Sequence, residues 1–403
     1  MSNLKTKHIV VGISGGIAAY KVPELIRLLT KAGAEVKVTT TRNALNFVTE
    51  LTLRTLSNND VYSDVFAAIN HHATEHISLP TWADMMVVAP ASADVLAKMA
   101  YGIADDALTT TFAATRKPVV IAPAMNDNMY RAEATQEALR LLAARPDITV
   151  LDCAEGELAC GTVGKGRMQE VPFIYDAIER AMTPQTMMGQ HVLITAGPTK
   201  ERIDPVRYLS NDSSGKMGYA LARTCINRGA TVTLVSGPTS LPAPQGCRLV
   251  QVESAEEMYQ AVIREKDTQD TLILCAAVAD FTPVKPAAQK IKKAPSQTGL
   301  TLELKTTHDI AAVVGANRTE GQTIVGFALE TQNGEMNAIE KLHKKGMNYI
   351  VLNSLEDKGA GFMGDTNIVT LFSDKGDRID IPLASKEEIA DKIVDNLHRT
   401  NLS

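Results

Sequence analysis

Aromatic residues are scarce in this chain, and basic residues are not in excess. Phe, Trp and Tyr together make up 4% of the 403 residues, with a single Trp, and the formal net charge is −5. Acidic and basic residues are interspersed, which is typical neither of a nucleic-acid-binding protein nor of a polybasic membrane surface. We therefore predict small-molecule substrates as the partners, with no nucleic acid and no membrane.

Cysteines and long apolar runs are also few. The five cysteines, none in a C-x-x-C pair, are Cys153, Cys160, Cys225, Cys247 and Cys275. An odd set with this spacing argues against a disulfide framework and against a cysteine zinc site. No apolar run reaches the ~18 residues of a membrane helix, and the first one is too short for a secretory signal. A reduced, cytoplasmic protein is the expectation.

Short apolar runs alternate with amphipathic segments along the whole chain, as in βαβ units. We predict a helix over 18–33 and two series of strands. The first series lies near 8–13, 35–40, 85–90, 118–123 and 148–152, and the second near 191–199, 230–238, 248–252, 271–280, 323–330 and 349–353. This predicts an α/β fold with two doubly wound Rossmann-like domains and mainly parallel sheets. The polar, Gly/Pro-marked segment 183–190 places the boundary, giving domains 1–189 and 190–403.

The segment "GISGGIAAYK" (12–21) follows a strand and opens a helix, so it predicts an anion site. Its spacing is not G-x-G-x-x-G, and the second strand ends in "TTTR" (39–42), where an NAD-binding domain would have an acidic residue. Hydroxyls there favour FMN over NAD, and the alternative is a tight turn that simply needs glycine. The predicted FMN-binding residues are Ser14, Gly15, Gly16, Thr41 and Ser92, the last as a helix N-cap.

Two further stretches carry candidate polar groups. Asn126, in "PAMNDNMY", follows a strand and is either a turn residue or a ligand for a carboxylate. His71, His72 and His76 lie in a loop-like stretch without metal-binding partners, so no metal site is predicted from them. His76 precedes a core strand and is a candidate acid/base.

The segment "ACGTVGKGRM" (159–168) combines Cys160 with three glycines and two basic residues. It is either a glycine-rich turn with an incidental thiol or a lid whose glycines act as hinges. Arg167 would either clamp a substrate or fix the lid.

Four motifs of the first half occur in a diagnostic order: "GGIAAYK", "HISL", "PAMNDNMY" and "ACGTVGKGRM". Over about residues 6–182 the chain resembles the flavin-dependent cysteine decarboxylases, particularly the phosphopantothenoylcysteine decarboxylases, although Tyr130 replaces a common Trp. The resemblance implies that His76 is catalytic, that Asn126 orients the cysteinyl carboxylate and that Cys160 donates a proton. It also implies FMN chemistry in which the substrate thiol is oxidised to a thioaldehyde, allowing CO₂ to leave.

The second half repeats the strand, turn and helix pattern. "SSGKMG" lacks the spacing of a phosphate-binding Walker loop, so Ser213, Ser214 and Gly215 are expected to cap a helix from Lys216, with Asn211 as a turn residue. A long Pro-rich loop then contains "KIKK" (290–293), which is either a solvated charge run or a triphosphate contact.

The order "TAGPT…DPVR…SNDSSGKMG…AAVAD…KIKK…VGFALET" resembles phosphopantothenate–cysteine ligases over about residues 190–398. The resemblance implies that Lys290 acts in forming an acyl-cytidylate and that Asn211 acts when cysteine displaces CMP. The residues implied to contact CTP are Asp280, Lys290, His308, Asp309, Ile310, Ala311, Phe327, Lys341 and Lys345. Mg²⁺ is expected with CTP, although no metal ligands are predicted.

Both halves in one chain resemble the bifunctional enzymes of coenzyme A biosynthesis. That family implies a homo-oligomer, a dodecamer of decarboxylase trimers with dimeric ligase domains. The alternatives are a regulatory binding subunit on the decarboxylase fold, a flavin prenyltransferase and an NAD oxidoreductase. The ligase half argues against the first two, and "TTTR" argues against the third.

Overall fold

The computed structural model describes residues 4–66, 75–157, 163–293, 299–330, 332–354 and 364–399. Its contacts divide the chain into two units, which meet at Pro184 and Gln185 in sequence. Gln185 Nε2 donates to the carbonyl of Asn227 at 2.8 Å, and Met187 is buried in the core of the second unit. The domain limits 1–189 and 190–403 stay predictions.

The first unit is a parallel sheet with helices on both faces, as its alternating apolar and amphipathic segments predict. Its strands are β1 (His8–Ile13), β2 (Glu35–Thr40), β3 (Val61–Tyr62), β4 (Met85–Ala91), β5 (Val119–Pro123) and β6 (Ile148–Val150), followed by an antiparallel pair, β7 (Ala154–Glu157) and β8 (Val163–Arg167). Its helices are α1 (Val22–Lys31), α2 (Glu50–Ser57), α3 (Glu75–Trp82), α4 (Ala93–Tyr101), α5 (Ala107–Ala114), α6 (Asp127–Arg131), α7 (Glu133–Ala143) and α8 (Val171–Met182).

The strand order of this sheet is β3-β2-β1-β4-β5-β6. After β3 the chain passes to the other side of β1, so β1 and β4 are neighbours whose following loops turn in opposite directions. In open α/β sheets ligands bind in the crevice at the carboxyl ends of such a strand pair. The topology thereby places the turn after β1 beside Ser92, which follows β4.

Two predictions for the first unit need correction. The helix predicted over 18–33 is split into a 3-10 turn, Ile17–Lys21, and α1, because Pro23 near the start of α1 favours a new helix beginning there. The histidine-containing stretch predicted as a loop includes α3, and His76 is its second residue.

The second unit has an eight-stranded sheet in the order β13-β12-β9-β14-β17-β18-β19-β20. The first six of these strands are parallel, and β19 and β20 are antiparallel additions. The main strands are β9 (His191–Ala196), β12 (Thr231–Ser236), β13 (Arg248–Gln251), β14 (Thr271–Leu274), β17 (Thr323–Glu330), β18 (Tyr349–Ser354), β19 (Thr366–Ser373) and β20 (Arg378–Ser385). The mainly parallel α/β architecture predicted for both halves is confirmed.

Two short hairpins and five α-helices complete this unit within the described ranges. The hairpins are β10 (Lys200–Arg202) with β11 (Tyr208–Ser210), and β15 (Phe281–Pro283) with β16 (Leu304–Thr306). The helices are α9 (Lys216–Asn227), α10 (Ala255–Glu265), α11 (Ile310–Ala316), α12 (Gly334–Lys344) and α13 (Lys386–Arg399). None of the helices in the described ranges combines the length and apolar character of a membrane span.

The strand predicted over 271–280 is shorter than expected. β14 ends at Leu274, and beyond it an isolated bridge joins Ala277 to Pro198. The apolar run continues past the strand because these residues line a cavity at the carboxyl end of the sheet. The sequence pattern predicts no strand after 353, and this is wrong, because β19 and β20 follow there.

Candidate active sites

In the first unit, Ser14 joins the ends of β1 and β4. Its fully buried hydroxyl donates to the carbonyl of Pro90 at 2.7 Å and accepts from the amide of Ser92 at 2.9 Å. Ser92 is the N-cap of α4, and its side chain accepts from the amide of Val95 at 3.4 Å. The Ser14 hydroxyl thus holds the two strand ends together, and the Ser92 hydroxyl caps α4, at the crevice where the fold predicts a ligand.

The two glycines that follow Ser14 differ in their surroundings. A Cβ added at Gly15 would lie 2.6 Å from Cβ of Asn43, so the close packing of Gly15 against the 3-10 helix Arg42–Asn46 requires glycine. A Cβ added at Gly16 would meet no atom within 4 Å. Gly16 therefore borders space that a ligand group can use, whereas Gly15 is also explained by packing alone.

Three consecutive threonines, Thr39 and Thr40 at the end of β2 and Thr41 directly after it, provide the test of whether the site fits a flavin. The side-chain oxygens of Thr39, Thr40 and Thr41 are buried and have no hydrogen-bond partner within the described residues. Leaving a buried hydroxyl unsatisfied costs about 1–3 kcal/mol. The three hydroxyls fit a ligand rich in hydroxyl or phosphate groups, as expected for FMN.

His76 and Asn126 each lie at the start of a helix, α3 and α6 respectively. Nδ1 of His76, on α3, is buried without a partner in the described parts of the chain. Asn126 is the N-cap of α6 and accepts from the amide of Asn128 at 2.9 Å, as a turn residue would. A role as a carboxylate ligand stays a prediction for Asn126. His71, His72 and Cys160 lie outside the described residues.

The glycines of segment 159–168 are predicted to act as lid hinges, and the structure gives the two that lie in β8, Gly164 and Gly166, another role. A Cβ at Gly166 would lie 2.4 Å from the carbonyl oxygen of Met125, and one at Gly164 would lie 2.9 Å from Cβ of Asp127. The Met125 amide donates to the Gly166 carbonyl at 2.9 Å. The Lys165 amide donates to Oδ1 of Asp127, also at 2.9 Å. Both glycines let β8 pack directly against the segment that contains Asn126.

Arg167, at the end of β8, fixes the hairpin to α8. Its guanidinium lies 2.6 Å from Oε1 of Glu170, while Nζ of Lys21 lies 2.9 Å from Oε2 of the same carboxylate. The bond from Lys21, helped by the charges of Lys21 and Arg167, outweighs the opposing effect of burial and lowers the pKa of Glu170 below its ordinary value. Of the two roles considered for Arg167, these contacts favour fixing the hairpin.

In the second unit, two adjoining cavities of about 350 and 640 Å³ lie at the carboxyl ends of the parallel strands. They share a wall that consists of Ala276, Val278, Asp280, Phe327 and Lys341. The predicted CTP contacts that line the smaller cavity are Asp280, His308, Asp309, Ile310, Ala311, Phe327, Lys341 and Lys345. The structure thus brings together residues that are up to 65 positions apart in sequence, from 280 to 345.

Lys290 does not lie among the described residues that line either cavity. It is exposed on the loop after β15. The next residue, Ile291, is anchored: its amide donates to Asp204 at 3.1 Å, and its carbonyl accepts from Arg207 at 2.7 Å. The contact predicted between Lys290 and CTP therefore requires a different position of this loop or side chain.

Lys341, on α12, and Lys345, the C-cap residue directly after it, are not simply solvated. Nζ of Lys345 lies 3.0 Å from the carboxylate of Asp309, and Nζ of Lys341 lies 2.5 Å from Glu330. Burial acts to raise the pKa of Glu330, but bonds from Lys341 and Asn337 outweigh it, and the pKa is lowered. Both lysines are therefore held in place at the cavity by carboxylates.

His308 and Asp309 shape the rim of the smaller cavity. The His308 ring stacks on Tyr259 with centroids 4.4 Å apart, and its Nε2 lies 3.4 Å from Glu256. Asp309 is the N-cap of α11 and accepts from the amide of Ala312 at 3.0 Å. Both side chains have structural partners beside the cavity.

The larger cavity is bounded by the loop before α9. Nδ2 of Asn211 donates to the carbonyls of Ala277 and Val278 at 3.1 and 3.3 Å, which ties this loop to the end of β14. Gly215, with φ of +78°, is the N-cap and makes no side-chain capping bond, so α9 begins at Lys216 as predicted. A Cβ at Gly218 would lie 2.6 Å from Cβ of Ala196, so glycine lets α9 start close to the sheet.

Asp204 and Arg207 form an ion pair that the sequence pattern does not reveal. The buried Asp204 carboxylate accepts from Arg207 Nε at 2.9 Å and from the amides of Val206 and Arg207, each at 2.8 Å. The Arg207 bond is the main reason why the pKa of Asp204 is well below its ordinary value. The motif "DPVR" was the available signal, but it served only to support the family resemblance.

The parts of the chain that the structure describes contain neither a metal-binding cluster nor a reactive thiol. No group of three or more His, Cys, Asp or Glu side chains is placed to hold a metal ion among those residues. The four described cysteines are free thiols. Burial raises the pKa of Cys153, Cys225 and Cys275 to about 12, so these thiols are protonated and unreactive at neutral pH.

Comparison with known proteins covers both halves. The model of the Flavoprotein family matches residues 1–183, and the model of the C-terminal domain of DNA/pantothenate metabolism flavoproteins matches residues 187–400. The chain is 45% identical over 398 residues to the coenzyme A biosynthesis bifunctional protein CoaBC of Vibrio cholerae, covering 99% of each chain. It is also 45% identical over 398 residues to the CoaBC of Bacillus subtilis, covering 98% of this chain and 97% of the relative.

One similar solved structure is the C-terminal domain of a coenzyme A biosynthesis bifunctional protein CoaBC. It is 41% identical, covers 54% of this chain and 97% of its own, and has a TM-score of 0.46. By its family models and its full-length relatives, the chain belongs to the family of coenzyme A biosynthesis bifunctional proteins, which join a flavoprotein decarboxylase half to a phosphopantothenate–cysteine ligase half.

Proposed function

We propose that the second unit joins cysteine to 4′-phosphopantothenate with CTP, and that the first unit decarboxylates the product to 4′-phosphopantetheine with FMN. The observation that carries the ligase proposal is the convergence of Asp280, Phe327, Lys341 and Lys345 on one cavity. The buried hydroxyls of Thr39, Thr40 and Thr41, which have no partner within the described residues, support a flavin in the first unit.

In the ligase reaction, the substrate carboxylate attacks the α-phosphorus of CTP, and pyrophosphate leaves. Phe327 and Asp280, in the wall between the two cavities, lie where the nucleotide would pass from one into the other. Lys341 on α12 and Lys345 at its C-cap supply positive charge to the phosphates from positions fixed by carboxylates. Most of the rate enhancement would come from in-line positioning and charge stabilisation.

The amine of cysteine then displaces CMP from the acyl-cytidylate. Asn211 uses its Nδ2 to hold the backbone of Ala277 and Val278, so its Oδ1 is the atom that can accept a hydrogen bond from that amine. This assigns Asn211 a role in the second step, with little influence on pyrophosphate release. Lys290 would act in the first step, reaching the nucleotide from the loop anchored at Ile291.

In the decarboxylase half, Thr41 and Gly16 would contact the flavin, and Ser14 and Ser92 would hold the two strand ends around it. When bound, FMN supplies reversible hydride transfer, which is the difficult electronic part of the reaction. His76 can take or give a proton at its buried Nδ1, Asn126 would orient the substrate carboxylate, and Cys160 would supply a proton to the product.

The remaining parts of the proposal concern partners. Mg²⁺ would be bound mainly by the triphosphate oxygens, as is usual for nucleotide substrates. The assembly would be a homo-oligomer, a dodecamer of decarboxylase trimers with dimeric ligase domains, and the cytoplasmic location inferred from the cysteine pattern belongs to this proposal as well.

The test is a reconstituted reaction with the full chain, Mg²⁺, 4′-phosphopantothenate and cysteine. Pyrophosphate release should require CTP, and the purified protein should show a flavin absorption spectrum and release CO₂ from 4′-phosphopantothenoylcysteine. Equal activity with ATP would overturn the choice of CTP. Colourless protein that cannot be reconstituted with FMN would overturn the decarboxylase proposal.

A further inference from the structure

The rim of the smaller cavity in the second unit is fixed at several points. We call Thr307, His308 and Asp309 the rim segment, and the whole segment lines this cavity. The amide of Thr307 donates to the carbonyl of Asp280 at 3.0 Å, and the carboxylate of Asp309 lies 3.0 Å from Nζ of Lys345. Both ends of the rim segment are thus tied to other residues of the cavity wall.

The middle of the rim segment is held instead by α10, which lies outside the cavity wall. The ring of Tyr259 stacks on the ring of His308, with centroids 4.4 Å apart and planes inclined by 18°. Oε2 of Glu256 lies 3.4 Å from Nε2 of His308. Neither Tyr259 nor Glu256 is among the described residues that line either cavity. A helix that takes no part in the cavity wall therefore restrains a residue that does.

This helix is itself firmly fixed in the second unit. The amide of Ala255, its first residue, donates to the buried carboxylate of Glu201 at 2.9 Å. The hydroxyl of the N-cap residue Ser254 accepts from the amide of Glu257 at 3.2 Å. Met258 is fully buried in the core. The helix therefore offers the rim segment a rigid support.

Of the two contacts that α10 makes with His308, the ring stack is the stronger restraint. The side chains of His308 and Glu256 are 56% and 58% exposed, so solvent weakens their ion pair, which also requires a protonated imidazole. The stack does not depend on that proton, and Tyr259 is partly buried against the core. Tyr259 is therefore the residue of α10 that we expect to fix the rim segment.

We propose that Tyr259 is a positioning residue for the nucleotide, a role that rests on the proposed ligase function. By stacking on His308, it keeps the rim segment in the conformation that receives CTP. Without the stack, the rim segment spends part of its time in other conformations, and the apparent affinity falls with the fraction that remains competent. Thr307 and Asp309 keep their own partners, so turnover of bound CTP should change little.

The experiment compares Tyr259→Leu, which removes the ring, with Tyr259→Phe, which keeps it, in the full chain. Calorimetric titration measures the Kd for CTP, and pyrophosphate release measures KM and kcat. Tyr259→Leu should raise the Kd and the KM for CTP about fivefold, as much as an exposed aromatic stack can supply, with kcat within about twofold. The KM for 4′-phosphopantothenate should stay at the parental value. Tyr259→Phe should match the parent, as should Arg264→Leu, the control at an exposed position of α10.

A double-mutant cycle tests whether Tyr259 acts through His308. His308→Ala should itself raise the Kd for CTP, and Tyr259→Leu should then add no further loss. Losses that add would mean that Tyr259 only supports the fold, and they would overturn the proposal. So would a Glu256→Gln effect as large as that of Tyr259→Leu, because the ion pair would then be the main restraint. If Tyr259→Leu does not fold, Tyr259→Met must show the same loss and the same coupling, or the proposal fails.

Hydrogen exchange in the nucleotide-free chain separates this proposal from the ligase proposal. Tyr259→Leu should speed exchange of the Thr307 amide at least about threefold, because a looser rim segment breaks its bond to Asp280 more often, and Arg264→Leu should not. Faster exchange and a coupled loss of CTP binding, in a chain that releases no pyrophosphate from any nucleotide, would retain the positioning role and overturn the ligase function. Pyrophosphate release with the parental KM for CTP in Tyr259→Leu would retain the ligase function and overturn the positioning role.

Discussion

The two units use different chemistry at the same place in the fold, the carboxyl ends of parallel strands. The first unit offers neutral hydroxyls, of which Ser14 is fully engaged and Thr41 has no partner among the described residues. The second unit offers ammonium groups, such as those of Lys341 and Lys345, each held by a carboxylate. Neutral, buried groups suit a cofactor that stays bound, whereas charges suit a polyanionic substrate that must bind and leave in every cycle.

The largest expected effect separates the two activities at Gly166. Gly166→Ala would place a Cβ 2.4 Å from the carbonyl oxygen of Met125, at a φ of +150°, so β8 and the segment around Asn126 must move apart. We expect decarboxylation to fall by more than about 100-fold, since displacements near 1 Å can cost that much. Pyrophosphate release from CTP, measured on the same preparation, should stay at the parental level. A parallel loss of both activities would contradict a local role for this contact.

The next effect tests the two-step assignment in the second unit. Asn211→Asp replaces the NH₂ group that donates to Ala277 and Val278 and adds a negative charge beside the cavity. Amide formation should fall about 100-fold while pyrophosphate release continues, so that acyl-cytidylate accumulates and can be detected by mass spectrometry.

The control for that variant is Asn317→Asp, which loses a comparable bond, from Nδ2 to the carbonyl of Val313 at 2.8 Å, on an exposed helix end. It should leave both ligase steps unchanged. Loss of pyrophosphate release in Asn211→Asp would move Asn211 to the first step.

A smaller effect tests the unpartnered hydroxyls of the first unit. Thr41→Val keeps the side-chain shape and removes a buried hydroxyl that has no partner within the described residues. Without flavin, the free energy of unfolding should stay constant or rise by about 1 kcal/mol, while the Kd for FMN should rise about tenfold. Thermal unfolding of flavin-free protein and fluorescence titration with FMN measure the two quantities.

Thr111→Val provides the matched comparison. The hydroxyl of Thr111 is buried and donates to the carbonyl of Ala107 at 2.7 Å, so its removal should lower the free energy of unfolding by about 1 kcal/mol. The affinity for FMN should not change. Equal stability changes in Thr41→Val and Thr111→Val would contradict the view that Thr41 is kept for a ligand.

The smallest effect concerns pH and the second unit. The folded-state pKa of Asp204 lies below its ordinary value of 3.8, so its stabilising contribution is fully present above pH 3.8 and is lost as the pH falls below it. Asp204→Asn should lower the melting temperature of the second unit at pH 6 and reduce its acid sensitivity between pH 5 and 3. A melting curve with the parental pH dependence would contradict this account.

Much of the fold follows from the sequence because apolar runs and helix signals are local. The turn after β1 and the start of α9 at Lys216 were predicted from glycine and cap residues alone. The end of β14 at Leu274 was not, since an apolar run does not distinguish strand residues from cavity-lining ones. Contacts between distant segments were also beyond prediction, such as Glu170 with Lys21 or Asp204 with Ile291.

Some site residues can likewise be named from the sequence, and others cannot. The residues around Asp280 and Phe327 were named from a resemblance, and the structure brings them to one cavity. Lys386 carries no motif, and its burial depends on where α13 packs, so a sequence read one segment at a time gives no reason to single it out.

The ion pair between Glu170 and Arg167 makes the attachment of the hairpin of the first unit sensitive to salt. The side chain of Arg167 is 43% exposed, so dissolved ions screen that attraction, whereas the close packing of Gly166 on Met125 is unaffected by them. Raising the ionic strength should therefore weaken the Arg167–Glu170 ion pair and leave the packing of Gly166 on Met125 in place. The salt content of the medium thereby becomes a means of changing how freely this segment moves, without altering any residue of the chain.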